Sequence, residues 1–269
     1  MANLKNTTIN DTGFLELPRG TTAQRPGSPS AGDMRYNTET DFIEWFNGDV
    51  WITPEIFTDF SEYTLNSEPN DWTRIASPSN FRVIVDNSAV GGVCLQRVPQ
   101  VNSPDSATVL KWDGKDRFNV DIIASIRNAN PNGNNRAWNG IIARGSLINS
   151  NLSGYMAEIS RQGGTPRFIF SKIINDNLSE NIRPDTRNYN LHIETVSGWS
   201  SSNWYYLRIQ AIGSEIKTKY WLNSVNEPSN WNYTFTDSSP LPLGFLGAIV
   251  PGNLRSDLDA RWDEFKILL

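Results

Sequence analysis

An alternating run of side chains between Trp204 and Phe235 restricts this chain to a fold that contains an antiparallel β-sheet. Every second side chain through Trp204–Ala211 falls on one apolar side, which is the period of a half-buried strand. Gly213–Glu215 supplies a turn, and the alternation resumes through Ile216–Leu222. The two runs therefore predict a hairpin, and Trp231–Phe235 predicts a third strand after an irregular loop.

The composition agrees with an all-β protein. The 269 residues include 10 Trp, 12 Phe and 8 Tyr, together with 19 Gly and 15 Pro. Aromatic residues favour strands, whereas Gly and Pro mark the turns between strands. A chain of this length can hold one large β-sandwich and a smaller appendage.

Charge and cysteine content exclude several classes of function. The net charge is −5 and Lys and Arg form no run, which argues against nucleic-acid partners. We expect no membrane insertion, because the sequence shows neither a signal peptide nor a spanning apolar segment. The single cysteine, Cys94, permits no internal disulfide, and with the single histidine, His192, it forms no zinc cluster. Cys94 is expected to be a buried apolar residue.

The alternating run also carries a resemblance to a known superfamily. The pattern W-Y-x-L-R-I-x-A-x-G-S-x-I-K-x-K-x-W, followed by E-P-x-x-W, resembles late strands of the concanavalin A-like (laminin G-like) jelly rolls. Phe57–Phe60 resembles the entry strand of that family, and Arg261–Ile267 resembles its closing strand. The resemblance implies a C-terminal jelly-roll sandwich over residues 56–269.

The N-terminal part has a second resemblance. Residues 1–16 are expected to form an extended arm, and Asn47-Gly48 predicts a hairpin between Phe42–Phe46 and Val50–Ile52. The pattern L-P-x-G-T-T-A-Q-R-P-x-x-P-x-A-G-x-x-R-Y-N-T-x-T is similar to segments of tailed-bacteriophage fibre and virion proteins. Residues 17–55 are too few to bury a core alone, so self-association is expected, and the resemblance implies a trimer.

The acidic residues do not form the catalytic pattern of the superfamily. Polysaccharide-cleaving members of the superfamily carry E-x-D-x-x-E, because retaining hydrolysis needs two carboxylates roughly 5–5.5 Å apart. This pattern is absent. Each of the candidate strands carries one carboxylate alone, namely Asp121, Glu158 or Glu194. His192 lies two residues from Glu194, which fits either a proton relay or a simple surface pair. We therefore expect no enzymatic activity.

Glycan binding is the activity that the remaining polar and aromatic residues favour. A sugar site pairs an aromatic plate with polar side chains, and several loop residues have this character. The candidates are Arg136, Trp138, Asn139, Tyr189 and Trp199. Each aromatic could instead only pin its loop to the sandwich. Four further tryptophans match recurrent packing positions of the family: Trp204, Trp221, Trp231 and Trp262.

The resemblance also implies a structural calcium ion where the first and last strands meet. Asp59 and Asp263 match the carboxylates of those two strands, and oxygen ligands suit this cation. No other cofactor is required.

Together these observations predict a virion protein of a tailed bacteriophage, made in the host cytoplasm. It would be a homotrimeric tail fibre or receptor-binding protein that contacts other virion proteins through residues 1–55. Its jelly roll would bind host-surface polysaccharide. Two alternatives are a non-catalytic head or tail decoration protein and a polysaccharide depolymerase whose carboxylates come from loops.

Overall fold

The computed structural model describes residues 13, 15–39, 42–53, 56–76, 80–98, 107–129, 136–162, 164–177, 190–251 and 259–268. The chain divides into two compact units, Met1–Pro54 and Glu55–Leu268. Apart from a short 3-10 helix at Thr22–Gln24, the regular structure of the described ranges consists of β-strands, as the sequence predicts.

The strands are β1 (Arg19–Gly20), β2 (Met34–Asn37), β3 (Phe42–Phe46), β4 (Trp51–Ile52), β5 (Ile56–Thr58), β6 (Trp72–Ala76), β7 (Phe81–Val85), β8 (Val93–Arg97), β9 (Thr108–Arg117), β10 (Val120–Asn128), β11 (Arg136–Ile148), β12 (Asn151–Gln162), β13 (Thr165–Asn177), β14 (Asn190–Thr195), β15 (Tyr205–Ile212), β16 (Glu215–Leu222), β17 (Tyr233–Thr236), β18 (Gly244–Val250) and β19 (Ala260–Leu268).

The first unit contains a four-stranded sheet in the order β1-β2-β3-β4. Strands β3 and β4 form the hairpin predicted at Asn47-Gly48, with Phe46 opposite Trp51. Gly48 has a φ of +108°, a conformation that glycine adopts readily, and the Asn47 side chain accepts hydrogen bonds from the backbone N–H groups of Asp49 and Val50.

The second unit is a sandwich of two sheets. One sheet has the order β17-β16-β15-β10-β19-β8-β7, with β5 also paired to β19, and the other has the order β14-β13-β12-β11-β18-β9-β6. The predicted hairpin is confirmed by β15 and β16, which turn at Gly213 with a φ of +55°. The first and last strands meet as expected, since Thr58 of β5 lies opposite Phe265 of β19.

The core lies between the two sheets, where alternating side chains meet. On β10 the predicted inward residues Ile122, Ala124 and Ile126 are fully buried. The Phe168 and Tyr220 rings, from opposite sheets, lie 4.8 Å apart. Phe118 was expected to point inward with them, but this prediction was wrong: it precedes β10 and its side chain is 39% exposed.

One buried arginine connects backbone segments at one end of the sandwich. Arg144 lies at a bulge in β11 with a φ of +48°, and its side chain is almost completely buried. Its guanidinium donates hydrogen bonds to four backbone carbonyls, those of Phe118, Leu241, Ala211 and Gly213. The guanidinium thus links four backbone segments at this end of the sandwich. Burial lowers the pKa of Arg144.

Three of the four tryptophans that the sequence predicts to pack are buried, and so is Cys94. Trp204, Trp221 and Trp262 are buried, and Cys94 is a buried free thiol. Trp231 is half-buried, and the cations of Arg208 and Lys219 lie over its ring. No helix among the described residues has the length and apolar character needed to cross a membrane.

Candidate functional site

The sheet β14-β13-β12-β11-β18-β9-β6 carries a row of aligned side chains on its outer face. Trp138 of β11 lies opposite Ser160 of β12, Ser160 opposite Arg167 of β13, and Arg167 opposite Thr195 of β14. Residues directly opposite one another share a face of the sheet. The register therefore places an indole, two hydroxyl groups and a guanidinium in one line across four strands.

Access along this row rises toward the sheet edge. Trp138 is only 4% exposed and Ser160 is buried, whereas Arg167 is half-buried and Thr195 is exposed. The centre of the same face is a buried apolar cluster that includes Ile142 and its cross-strand partner Met156. Among the four residues of the row, those open to a ligand therefore lie on β13 and β14.

The predicted loop location of Trp138 and Asn139 was wrong, because both residues lie within β11. The Asn139 side chain is fully buried and donates hydrogen bonds to the backbone carbonyls of Arg127 and Arg261 in the other sheet. It therefore joins the two sheets and is not available to a sugar. The backbone of Arg136 begins β11, but its side chain lies outside the described residues, as does Tyr189.

Trp199 lies in the loop between β14 and β15 and is half-buried. The Arg161 guanidinium lies 5.0 Å from the centre of its ring. The backbone N–H of Val196 donates to the carbonyl of Pro166, which ties this loop to the start of β13. Trp199 and Arg161 therefore lie at the same end of the sheet as the accessible part of the row.

Sequence reasoning missed Arg161, Arg167 and Thr195. They come from the ends of three different strands, and each is an ordinary polar residue in its local context. The strand register places Arg167 opposite Thr195. Arg161 follows Ser160 and so belongs to the other face, and it is brought to this end of the sheet beside Trp199. A single sequence carries no local signal of that register.

His192 and Glu194 form a structural pair, with 2.9 Å between His192 Nε2 and a Glu194 carboxylate oxygen. The other carboxylate oxygen accepts a hydrogen bond of 2.8 Å from the Asn232 amide. Burial, together with the nearby Glu194 charge, raises the pKa of Tyr220 to about 12. Glu194 of β14 thus connects its own sheet to residues of the opposite sheet, which accounts for the pair without a proton relay.

Glu158 is the carboxylate nearest the centre of the outer face. It is fully buried, and its cross-strand partners are Gly140 and Ile169, with Met156 and Ser160 as its neighbours on the same face. None of these four residues carries a carboxyl group. Among the described strand neighbours of Glu158 there is therefore no second carboxylate of the kind that retaining hydrolysis needs.

A separate acidic group lies where β5 meets β19. One carboxylate oxygen of Asp263 accepts a 2.8 Å hydrogen bond from the backbone N–H of Val90, and the other is buried with no hydrogen-bond partner in the described part of the chain. Burial raises the pKa of Asp263 to about 7, and repulsion from Glu264, Asp59 and Asp86 adds to this effect.

These groups fit the oxygen chemistry that calcium prefers, with an orphaned buried oxygen on Asp263 and a carboxylate on Asp59. Across the described ranges, no group of three or more His, Cys, Asp and Glu side chains is arranged to hold a metal ion. A calcium ion at this position would therefore need backbone carbonyl oxygens or water as its remaining ligands.

Comparison with known proteins identifies the fold of the sandwich. No family model matches the sequence, and no curated protein matches it. Among solved structures, the VIP36 exoplasmic/lumenal domain in its Ca2+/Man-bound form matches with a TM-score of 0.52 and 12% identity, over 80% of this chain and 88% of that chain. The sandwich has the concanavalin A-like, lectin-type jelly-roll fold.

Two further structures are similar. The Ca2+/Man2-bound form of the VIP36 domain matches with a TM-score of 0.51 and 10% identity, over 80% of this chain and 86% of that chain. The carbohydrate-binding module CBM66 from Bacillus subtilis matches with a TM-score of 0.45 and 15% identity, over 74% of this chain and 96% of that chain. At such low identity, the VIP36 likeness establishes the fold and nothing more.

Proposed function

We propose that this protein is a non-catalytic virion component of a tailed bacteriophage whose jelly roll binds host-surface polysaccharide. In this proposal it is a homotrimeric tail fibre or receptor-binding protein, made in the host cytoplasm and held in the virion. The pattern Leu17–Trp51 supports the virion assignment, and residues 1–55 would contact other virion proteins.

The observation that carries glycan binding is the arrangement around Trp199. A half-buried indole lies beside the Arg161 guanidinium, at the same end of the sheet where Arg167 and Thr195 are accessible on the other face. Sugars bind through an apolar ring face and a rim of hydroxyl groups, which such a set of side chains can match. The fold likeness to a domain solved in a Ca2+/Man-bound form is consistent with this use.

The proposal gives Trp138 and Asn139 a packing role, because both side chains are buried. It favours binding over hydrolysis, because none of the strand neighbours of Glu158 that the structure describes carries a carboxylate. Three such sites on a trimer would add avidity even if each site alone bound weakly.

The test is a glycan array that includes host capsule and lipopolysaccharide, probed with the parent protein and the Trp199→Ala variant. We expect the variant to lose about 5- to 150-fold in affinity, since aromatic contacts of this kind contribute about 1–3 kcal/mol. Trp231→Ala is the matched control, because Trp231 is also half-buried and also lies under cations. This control should bind like the parent.

The outcomes separate the alternatives. Unchanged binding by Trp199→Ala would remove the site assignment. A parent protein that binds no glycan would leave the decoration role, in which the sandwich only stabilises the particle. Release of new reducing ends from the same polysaccharides would instead establish a depolymerase.

A further inference from the structure

The sheet of the first unit has two chemically opposite faces. In the β2–β3 register, Arg35 lies opposite Glu44, and Asn37 shares their face. Met34 lies opposite Trp45 on the other face, as does Tyr36 opposite Ile43. The first face, called the charged face, therefore carries an ion pair and an amide beside Phe42, which lies opposite Asn37, whereas the other face is almost entirely apolar.

The charged face is the buried one. Glu44, Arg35 and Asn37 are nearly or fully inaccessible. A nitrogen of Arg25 lies 2.5 Å from a Glu44 oxygen, and the Arg35 and Asn37 nitrogens lie 3.4 and 3.1 Å from that carboxylate. Although burial opposes it, the hydrogen bonds from Arg25 and Asn37 lower the pKa of Glu44. The fully buried part of the charged face is thus an ion-pair network, which supplies little of the stabilisation that an apolar core gives.

The apolar face is the accessible one. Met34 is 50% exposed and Ile43 is 42% exposed. Leu15, which is 69% exposed, shares with Ile43 the lining of a groove of about 290 Å³. The groove is lined by Leu15, Glu16, Leu17, Arg19, Tyr36 and Ile43. Accessible apolar groups concentrated on so small a unit mark an interaction surface.

The charges at the groove indicate the nature of the partner. Glu16 and Arg19 both line it and both are exposed. Neither makes a hydrogen bond or ion pair with other residues that the structure describes. A surface that carries one unpaired charge of each sign is complementary to another copy of itself.

We propose that this open face, formed by Leu15, Glu16, Arg19, Met34, Tyr36, Ile43 and Trp45, is the surface through which copies of this chain pack together. Apolar side chains of one copy fill the groove of the next, and Glu16 pairs with Arg19 of the neighbouring copy. The inference rests on the self-association proposed above and names its contact surface.

The experiment is light scattering of the full chain, which reports the mass in solution. The parent should show a multiple of 30.3 kDa, and Ile43→Glu should show one chain mass. Ile148→Glu is the matched control, because Ile148 is 67% exposed on the second unit and should leave the mass unchanged. A parent protein of one chain mass, or an Ile43→Glu variant that stays assembled, would overturn the proposal.

Charge reversal keeps the test independent of folding defects. Glu16→Arg and Arg19→Glu should each weaken assembly, whereas the double variant Glu16→Arg/Arg19→Glu should reassemble, because it restores an opposite-charge pair at every interface between copies. A double variant that remains as single chains would count against the pairing. Glycan binding by the single-chain variants is measured separately, so a failure of this inference is distinguishable from a failure of the proposed glycan function.

Discussion

Replacement of Asp263 by asparagine should stabilise the calcium-free protein. Asp263 is completely buried, and its pKa is raised from 3.8 to about 7, so its ionised form is disfavoured in the folded state. Each tenfold change in proton affinity corresponds to about 1.4 kcal/mol, so the charge costs up to about 4 kcal/mol once the pH is above 7. Asp263→Asn removes this charge and retains an oxygen that can accept from the Val90 N–H.

The sign of the pH dependence follows from the raised pKa. The favourable contribution of protonated Asp263 is complete below 3.8 and is lost as the pH rises through about 7. In the presence of a chelator, the stability gap between Asp263→Asn and the parent should therefore widen from about pH 4 to about pH 7 and level off above that. Urea unfolding followed by tryptophan fluorescence measures this gap.

Calcium should close that gap. A bound cation compensates the Asp263 charge, so the parent should gain stability from added Ca2+ and Asp263→Asn should not. A variant less stable than the parent at every pH in chelator would refute the reasoning about the buried charge. If added Ca2+ moves neither unfolding midpoint, the calcium site is wrong, whatever the pH dependence.

Two other predictions concern stability. Arg144→Met should lose roughly 3–5 kcal/mol of stability in urea unfolding, because it leaves four carbonyls without their donor. Arg161→Met is the control. A loss below about 1 kcal/mol for Arg144→Met would contradict the role of Arg144 in linking these four segments. Asp237→Asn should lose about 1–3 kcal/mol near neutral pH. Burial opposes its ionisation, but hydrogen bonds from Lys172 and Tyr155 lower the pKa of Asp237, so this contribution is present above 3.8 and lost on further acidification. Equal acid sensitivity of parent and variant would refute it.

The parts of the fold that the sequence predicted correctly are set by local patterns. The β15–β16 hairpin follows from alternation around Gly213, and the β3–β4 hairpin follows from Asn47-Gly48. The meeting of β5 and β19 was accessible through the resemblance carried by their motifs. In each case a few adjacent residues contain the information.

The candidate site was predicted less well, because its geometry depends on long-range register. The polar cluster around Trp138 favoured an exposed loop, yet β11 continues through it and buries Asn139 between the sheets. The sequence alone likewise did not predict which side chains share a face of the N-terminal sheet. Arg35 and Glu44 are charged residues that a sequence pattern assigns to solvent, and only their pairing across β2 and β3 explains their burial.

The pairing of β5 with β19 has a consequence for how the sandwich can be reused. Because the two strands are antiparallel, Ile56 at the start of β5 lies opposite Ile267 near the end of β19. The polypeptide thus enters and leaves the jelly roll at neighbouring points. Such a module can be inserted into a surface loop of another protein, or circularly permuted through a short linker, without stretching its sheets.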